Sequence, residues 1–568
     1  MNTKNTDMKK ISKWLISLLM ASVALVGCDD MLTVDSKLLT TNDQYTLNAP
    51  GDSVYSTIGV LSRLQKLVDG YVLLGELRGD LMDISATSDN SLREINNFNV
   101  TSGNTYVNIK NYYDVINNCN YIIHNLDTSV IERGLQMKLR EYAAIKAVRA
   151  WTYMQLALNY KTAKFYDKPI LTVANAEKTY TESTFAELAD ILITDLEPIK
   201  DVPSPNIEPG NPYAKKLYFP IHFILGDLYL WRASLTGNAT DYEKAATEYH
   251  SLMYNNSLII SGEVDSKTKL PTATNTVSYW VPVNNTISSS ANLYWMRSLA
   301  YSSPEAITVI TCPTVYGQKF YLDSLNNQHK IIPSAVAISN WDNQTYYLNK
   351  ASNSQGDLRK YGSISYSAAT VSKAVTDYTF SGVTDNSATI YKYKAYNQNV
   401  VVYRSPLLYL RYAEAVNRLQ KPKLAFAVLK YGLNSTTMAN EKIVPAKEKG
   451  TPVPVYLNFD SRFSNNIGIR MRGLGNMDKD TTFFILPKMA NMNDSVLYVE
   501  DMIQQELGLE TAFEGNRFHD LMRIALRRIR NGEGTASYLA DKVAAKHTDN
   551  KEAIRTKLMD TENWYIRK

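Results

Sequence analysis

Glu506, Glu510 and Glu514 recur at i, i+4 and i+8, and Arg517, Arg523, Arg527 and Arg528 follow them. Paired carboxylates are the machinery of glycoside hydrolysis, which sets two acids on opposite sides of a bond, ~5–9.5 Å apart. A stripe along one helix face does not straddle a bond, so the spacing predicts ion pairs to neighbouring helices. The histidines are His124, His222, His250, His329, His519 and His547. They form no H-E-x-x-H, and no two stand at i, i+4. The chain also lacks G-x-S-x-G and G-x-x-x-x-G-K-[ST]. Asn476-x-Asp478-x-Asp480 begins like a calcium-binding EF-hand loop but fails at its sixth position, Thr481, and its twelfth, Pro487. His519 beside Asp520 reads as a packed or surface histidine. These residues give no catalytic centre, no metal site and no cofactor site.

The better functional candidates are aromatic. The chain holds 39 Tyr against 14 Phe, with 7 Trp, an excess of rings with a polar edge. Tyr279, Trp280, Tyr294, Trp295, Tyr301, Trp341, Tyr346 and Tyr347 recur among Asn, Ser and Thr, with Asn284, Asn285 and Asn292 between the first two pairs. Sugar rings pack their C–H faces on flat π-systems, while their hydroxyls need amide and hydroxyl partners. Tyr279, Trp280, Tyr294, Trp295 and Trp341 are therefore the candidate ligand-binding residues. The competing expectation is that such rings fill the core beneath long loops.

Helical periodicity supplies the frame that would carry these loops. Ile109, Tyr112, Tyr113, Ile116, Cys119, Ile123 and Leu126 share one face. So do Leu139, Ala143, Ala147, Ala150, Trp151, Met154 and Leu158. Three further stripes run from Leu217 to Leu235, Leu408 to Leu419 and Leu424 to Tyr431. Leu225-Gly226-x-x-Tyr229, followed by Ala245 and Tyr249, reproduces the core of a tetratricopeptide repeat. Ala413, Ala425 and Leu429 repeat its spacing. Small residues at such positions let antiparallel helices approach closely. The expected fold is mostly α: a tetratricopeptide-like scaffold of helical pairs with a large irregular, loop-rich insertion carrying short strands. The expected regions are 51–261 (helical), 262–402 (irregular, aromatic-rich and ligand-binding) and 403–568 (helical). Ile199–Pro212, with four prolines, and Lys447–Tyr456 read as breaks.

The N-terminus reads as an address. Lys9, Lys10 and Lys13 precede an apolar run from Trp14 to Val26, too short to span a bilayer and suited to a signal peptide over residues 1–27. Leu25-Val26-Gly27-Cys28 resembles a bacterial lipobox, which makes Cys28 the expected lipid anchor and residues 28–50 a tether. Two or more acyl chains hold a protein firmly to a membrane. Without residues 1–27 the charge falls from +5 to near neutrality, so nothing in it favours nucleic acid. Cys119 and Cys312 remain, and spacing leaves open whether they are bridged.

Several blocks together resemble the SusD/RagB family of outer-membrane nutrient-uptake lipoproteins. They are Tyr112-Tyr113-x-x-Ile116-x-x-Cys119-Asn120, Arg149-Ala150-Trp151 through Tyr160, Phe185 to Leu196, Leu410-Arg411-Tyr412-Ala413-Glu414-Ala415, Glu506 to Arg523 and Asn563-Trp564-Tyr565. Leu507 and Thr511 depart from the family pattern. The resemblance implies a non-catalytic lid over a SusC-like TonB-dependent barrel. Such a lid faces outward from the outer membrane and passes captured oligosaccharide, or sometimes peptide-like nutrient, to the barrel. It also adds Arg78, in Glu76-Leu77-Arg78-Gly79-Asp80, as a ligand-binding candidate, because the family's early loop approaches the ligand. The alternative for Arg78 is a salt bridge with Asp80 or Asp83. Rival functions are a surface glycan hydrolase and a tetratricopeptide-type protein-interaction scaffold.

Overall fold

In the computed structural model, helix α1 (Asp52–Leu64) opens the described fold. The structure describes residues 47, 52–131, 136–205, 214–255, 305–312, 320–348, 352–357, 359–366, 388–390, 392, 399–463, 466, 468–473, 479–480 and 484–567. Residues 1–49 separate from Pro50–Lys568 as a unit of their own, of which Leu47 alone is described. The apolar leader and Cys28 therefore lie outside the described residues.

The helical frame follows the apolar stripes. After α1 come α2 (Val68–Glu76), α3 (Asn90–Asn96), α4 (Ile109–Asn125), α5 (Met137–Tyr160), α6 (Phe185–Leu196), α7 (Ile221–Thr236) and α8 (Ala239–Asn255). From α4 to α8 each helix packs against the next. Local chemistry fixes the starts: at α6 the Thr184 hydroxyl accepts the Glu187 N–H while Glu187 reaches back to the Thr184 N–H, a reciprocal cap. The repeat signature at Leu225-Gly226-x-x-Tyr229 has a direct packing cause. A Cβ on Gly226 would fall inside the ring of Tyr249, so α7 and α8 meet where no side chain fits.

Among the described residues, three short helices lie in the irregular region: α9 (Tyr321–Asn327), α10 (Ala335–Asp342) and the five-residue Arg359–Ser363. Then α11 (Ser405–Arg418) packs on α8 and pairs with α12 (Pro422–Lys430). Ala413, Ala425 and Leu429 are fully buried there. α13 (Met492–Thr511), α14 (Arg517–Asn531), α15 (Ser537–Ala544) and α16 (Lys551–Leu558) complete the frame. α14 lies against both α2 and α7.

The strands are short and antiparallel. β1 (Met82–Ile84) pairs with β5 (Ile331–Pro333), and β2 (Thr162–Lys164) with β3 (Glu182–Thr184). β4 (Ala306–Thr311) pairs with β10 (Asn399–Arg404), which runs straight into α11. β6 (Thr345–Leu348) sits between β7 (Ser352–Gln355) and β11 (Lys479–Asp480), and β8 (Ile364–Tyr366) pairs with β9 (Ala388–Ile390). Asp480 thus sits in a strand, while Asn476 and Asp478 fall outside the described residues. Cys119 and Cys312 are both free and buried.

Substituting Gly226→Ala should lower stability by ~1–3 kcal/mol, the usual cost of overpacking. Urea unfolding measures it; an unchanged midpoint would mean that the two helices part easily at this point.

Candidate functional site

Of the sequence-derived candidates, Tyr279, Trp280, Tyr294 and Trp295 lie outside the described residues. Trp341 is described, and it is a correction. At the end of α10 it is 1% exposed, its indole N–H donates to the Leu509 carbonyl at 3.1 Å, and its ring packs near Phe513. An indole with its faces covered and its donor engaged stabilises the interior and has no face left for a ligand.

The glutamate stripe is buried too. Helix α13 ends at Thr511, so Glu514 sits in the following turn, where Phe513 and Gly515 take positive φ. Glu506 accepts from Arg359 and Arg470. Glu510 accepts from Arg404 at 2.8 Å and from Arg472 at 3.1 Å. Glu514 accepts from Arg404 at 2.6 Å and from Lys392 at 2.5 Å. Arg472 also holds Glu305, and Arg359 holds Asp357. Arg359 comes from the short helix Arg359–Ser363, Arg404 from the end of β10, and Arg470 and Arg472 from the 3-10 turn Ile469–Gly473. The expected pairing to neighbouring helices holds for Arg523, Arg527 and Arg528, which reach Glu414 of α11 and Glu500 of α13. Arg517, Arg523, Arg527 and Arg528 pair elsewhere, with Asp80, Glu414, Asp520 and Glu500. Every member of the stripe is saturated and dry, so it offers no pair of acids across a cleft.

Arg78 makes neither expected salt bridge, since Asp80 is taken by Arg517 at 2.5 Å. Its Nε–H donates to the Leu74 carbonyl one turn back, and Nη1 donates to the Trp564 carbonyl at 3.0 Å. Nη2 donates to Asn159 Oδ1 and approaches His519 Nε2 at 3.1 Å. His519 Nε2 also lies 3.2 Å from Asn159 Oδ1, so it stands between an obligate donor and an acceptor. Burial, then the neighbouring arginines, hold His519 far below the ordinary histidine range and keep it neutral. The guanidinium also stacks over Phe518, 4.4 Å from the ring centre.

Arg78 lies at a cavity of about 250 Å³ lined also by Phe98, Asn99, Lys557, Asn563, Tyr565 and Arg567. Two chain ends build its walls. One is the close of α3. There the Asn99 N–H reaches the Glu94 carbonyl and the Phe98 N–H reaches that of Ile95, with Phe98 at φ +59°. This is a helix-ending turn whose left-handed residue is usually glycine; Phe98 takes it while its ring packs on Phe518. The Lys557 ammonium ties the turn down, donating to the Phe98 carbonyl at 2.7 Å and to Asn99 Oδ1. The other wall is the segment after α16. Trp564 is buried with its indole N–H on the Leu558 carbonyl, and the Ile566 N–H donates to the Asn159 carbonyl. Asn159, at the end of α5, therefore receives both Arg78 and this segment. Sequence reasoning noted Arg78 and Asn563-Trp564-Tyr565 separately; no spacing in the chain signals that they meet.

The family model described as the SusD family matches residues 313–568. Residues 313–568 belong to the SusD family. Among solved structures, a SusD superfamily protein from Bacteroides vulgatus aligns at 14% identity with a TM-score of 0.58, over 92% of this chain and 96% of that one. Surface glycan-binding protein A from Bacteroides uniformis aligns at 16% identity and 0.55, over 91% and 96%. A SusD homolog from Bacteroides thetaiotaomicron aligns at 14% and 0.56, over 89% and 90%. At these identities the shared property is the helical, tetratricopeptide-like fold. No curated protein sequence matches the chain. The SusD-family region contains Trp341, the glutamate stripe and the Asn563–Ile566 wall of the cavity.

Acid should expose the role of the stripe. Burial alone would raise the Glu510 carboxyl above its ordinary 4.5, but Arg472, Arg404 and Arg359 reverse the sign and hold it far below. A depressed carboxyl stabilises the fold above its unfolded value and loses that contribution as pH falls toward the folded one. Glu510→Gln should therefore cost ~3–5 kcal/mol at neutral pH. In urea titrations at stepped pH, the gap to wild type should narrow below pH 4.5. A gap independent of pH would show that Glu510 acts by shape alone.

Proposed function

We propose that this chain is a surface-exposed outer-membrane lipoprotein that binds glycan and passes it to a SusC-like TonB-dependent barrel, acting as a lid without catalysing a reaction. The observation that carries this reading is the SusD-family region over residues 313–568. The Bacteroides uniformis protein that shares the fold is named for surface glycan binding. The sequence adds an apolar leader ending in Gly27-Cys28. Among the described residues no helix is long and apolar enough to cross a membrane, so on this reading attachment rests on lipid at Cys28. The carboxylates that most resembled a hydrolytic pair are tied into buried ion pairs.

Two experiments test it. Wild-type protein should fractionate with outer membranes and bring a large barrel with it on purification, and Cys28→Ser should release it; a wild-type chain found wholly in the periplasmic fraction would overturn the reading. On a glycan array, the ligand bound by wild type should be lost or weakened by Trp280→Ala and Trp295→Ala. A stacked ring contributes ~1–3 kcal/mol. Unchanged binding in both variants would move the site away from these rings.

A further inference from the structure

Arg78 differs electrostatically from the other described buried arginines. Among the described residues, the buried arginines Arg359, Arg404, Arg411, Arg472, Arg517, Arg523 and Arg527 each have a carboxylate partner. Arg78 is as buried as these, at 1% exposure, and its described partners are two carbonyls, an amide oxygen and a neutral imidazole. A guanidinium carries five N–H donors. Those partners take four, leaving one on Nη1.

Two more cations line the same space. The Lys557 ammonium holds the Phe98 turn, and among the described residues the exposed Arg567 makes a long, 3.5 Å contact with Asn563 Oδ1. Among the described residues, no acidic side chain lines the space. Glu562, next to Asn563 in sequence, is mostly exposed, pairs with Lys161 and acts on Tyr565 of the lining. The charges oppose one another: burial, then the charge of Arg567, pushes Lys557 below its ordinary value. Burial pushes Arg78 down to about 10. Three positive charges with no carboxylate among the described lining residues favour an anion, and they favour it most in a walled space where water screens poorly.

The remaining lining narrows the anion's carrier. Asn99 and Asn563 present amides, and Phe98, Tyr565 and Ile566 present apolar surface. Charge, amide and ring faces together suit a hydroxylated ring better than a bare ion. At about 250 Å³ the space falls below the ~300–1,000 Å³ of ordinary ligand pockets, which limits it to a single ring or its substituent.

We propose that the cavity formed by Arg78, Lys557 and Arg567 is a subsite for the oxyanion of an acidic sugar, a carboxylate or a sulfate ester carried on one ring. The proposal rests on the glycan-binding reading and specifies the ligand class for this subsite.

Titration calorimetry on the full chain tests it, with glucuronate, glucose 6-sulfate, glucose and inorganic sulfate as probes at low salt. One of the two acidic sugars should bind at least about tenfold more tightly than glucose, a difference of ~1.4 kcal/mol. Which one does so distinguishes carboxylate from sulfate ester. Arg567→Glu should remove that preference while leaving the melting temperature unchanged, because the side chain is exposed. Arg78→Lys keeps a charge but loses the fork, and should weaken binding further. If Arg78→Lys does not fold, Arg567→Glu still decides. Acidic sugars binding no better than glucose, or an acidic preference that survives Arg567→Glu, would overturn the proposal. Inorganic sulfate matching both acidic sugars, with the binding lost in Arg567→Glu, would overturn the sugar assignment and leave a plain anion site. Neutral glycans bound equally by wild type and Arg567→Glu, with no acidic preference, would sink this subsite while leaving the glycan-binding reading intact.

Discussion

Charge removed from water must be matched within hydrogen-bond distance, and that constraint organises this molecule. Around α13 and its following turn, Asp357, Glu305, Glu506, Glu510 and Glu514 face Arg359, Lys392, Arg404, Arg470 and Arg472. The cluster is balanced, five against five. An unmatched ion in such a setting would cost several kcal/mol. The bases arrive from segments far apart in the chain, so each strand or turn of the irregular region must come to α13 in one register. Arg404 shows how: β10 delivers it directly, at the point where the strand becomes α11. The helical frame thus dictates the path of the segments inserted into it.

The same constraint explains the character of α14. Its buried face carries arginines: Arg523 and Arg527 both reach Glu414 of α11, and Arg527 and Arg528 reach Glu500 of α13. Apolar packing alone would let these helices slide against one another. Forked guanidinium–carboxylate contacts have direction as well as energy, so they fix rotation and translation together. Glu76 extends this control to the turn after α13, accepting the backbone N–H groups of Phe513, Gly515 and Asn516. A rigid frame of this kind suits loops that must hold a ligand without themselves forming a core.

Legibility followed the range of the interactions. The helices Ile109–Asn125, Ile221–Thr236 and Pro422–Lys430 could be read from the chain because their apolar stripes answer to a single local period. The α7–α8 contact was legible because a close approach leaves Gly226 as its signature. The identity of each ion-pair partner was not: Glu510 and Arg404 are 106 positions apart, and no periodicity connects them. Trp341 stood in a polar, aromatic stretch that resembled a binding loop, and its eight-residue helix is too short to declare a buried face. The cavity wall at Phe98 was hidden for a different reason. A left-handed helix end is normally announced by glycine, and here a phenylalanine occupies it.

Arg78 tests the charge-matching constraint by departing from it. Arg404, equally enclosed, is driven above the ordinary arginine range: burial opposes its charge, but Glu514 and Glu510 outweigh that cost. Arg78 shifts the other way, because burial is met by dipoles and an aromatic face instead of an anion. Carbonyls and amides can hold a guanidinium in place without neutralising it. Its field therefore extends beyond its own hydrogen bonds into the space that Lys557 and Arg567 also face. Elsewhere the fold encloses its arginines with acids from its own chain. At the meeting point of α3, α5 and the segment after α16, the described lining residues are neutral or positive. Among the described residues Arg78 is the buried arginine without a carboxylate partner, which makes its cavity the place where an external anion would supply one.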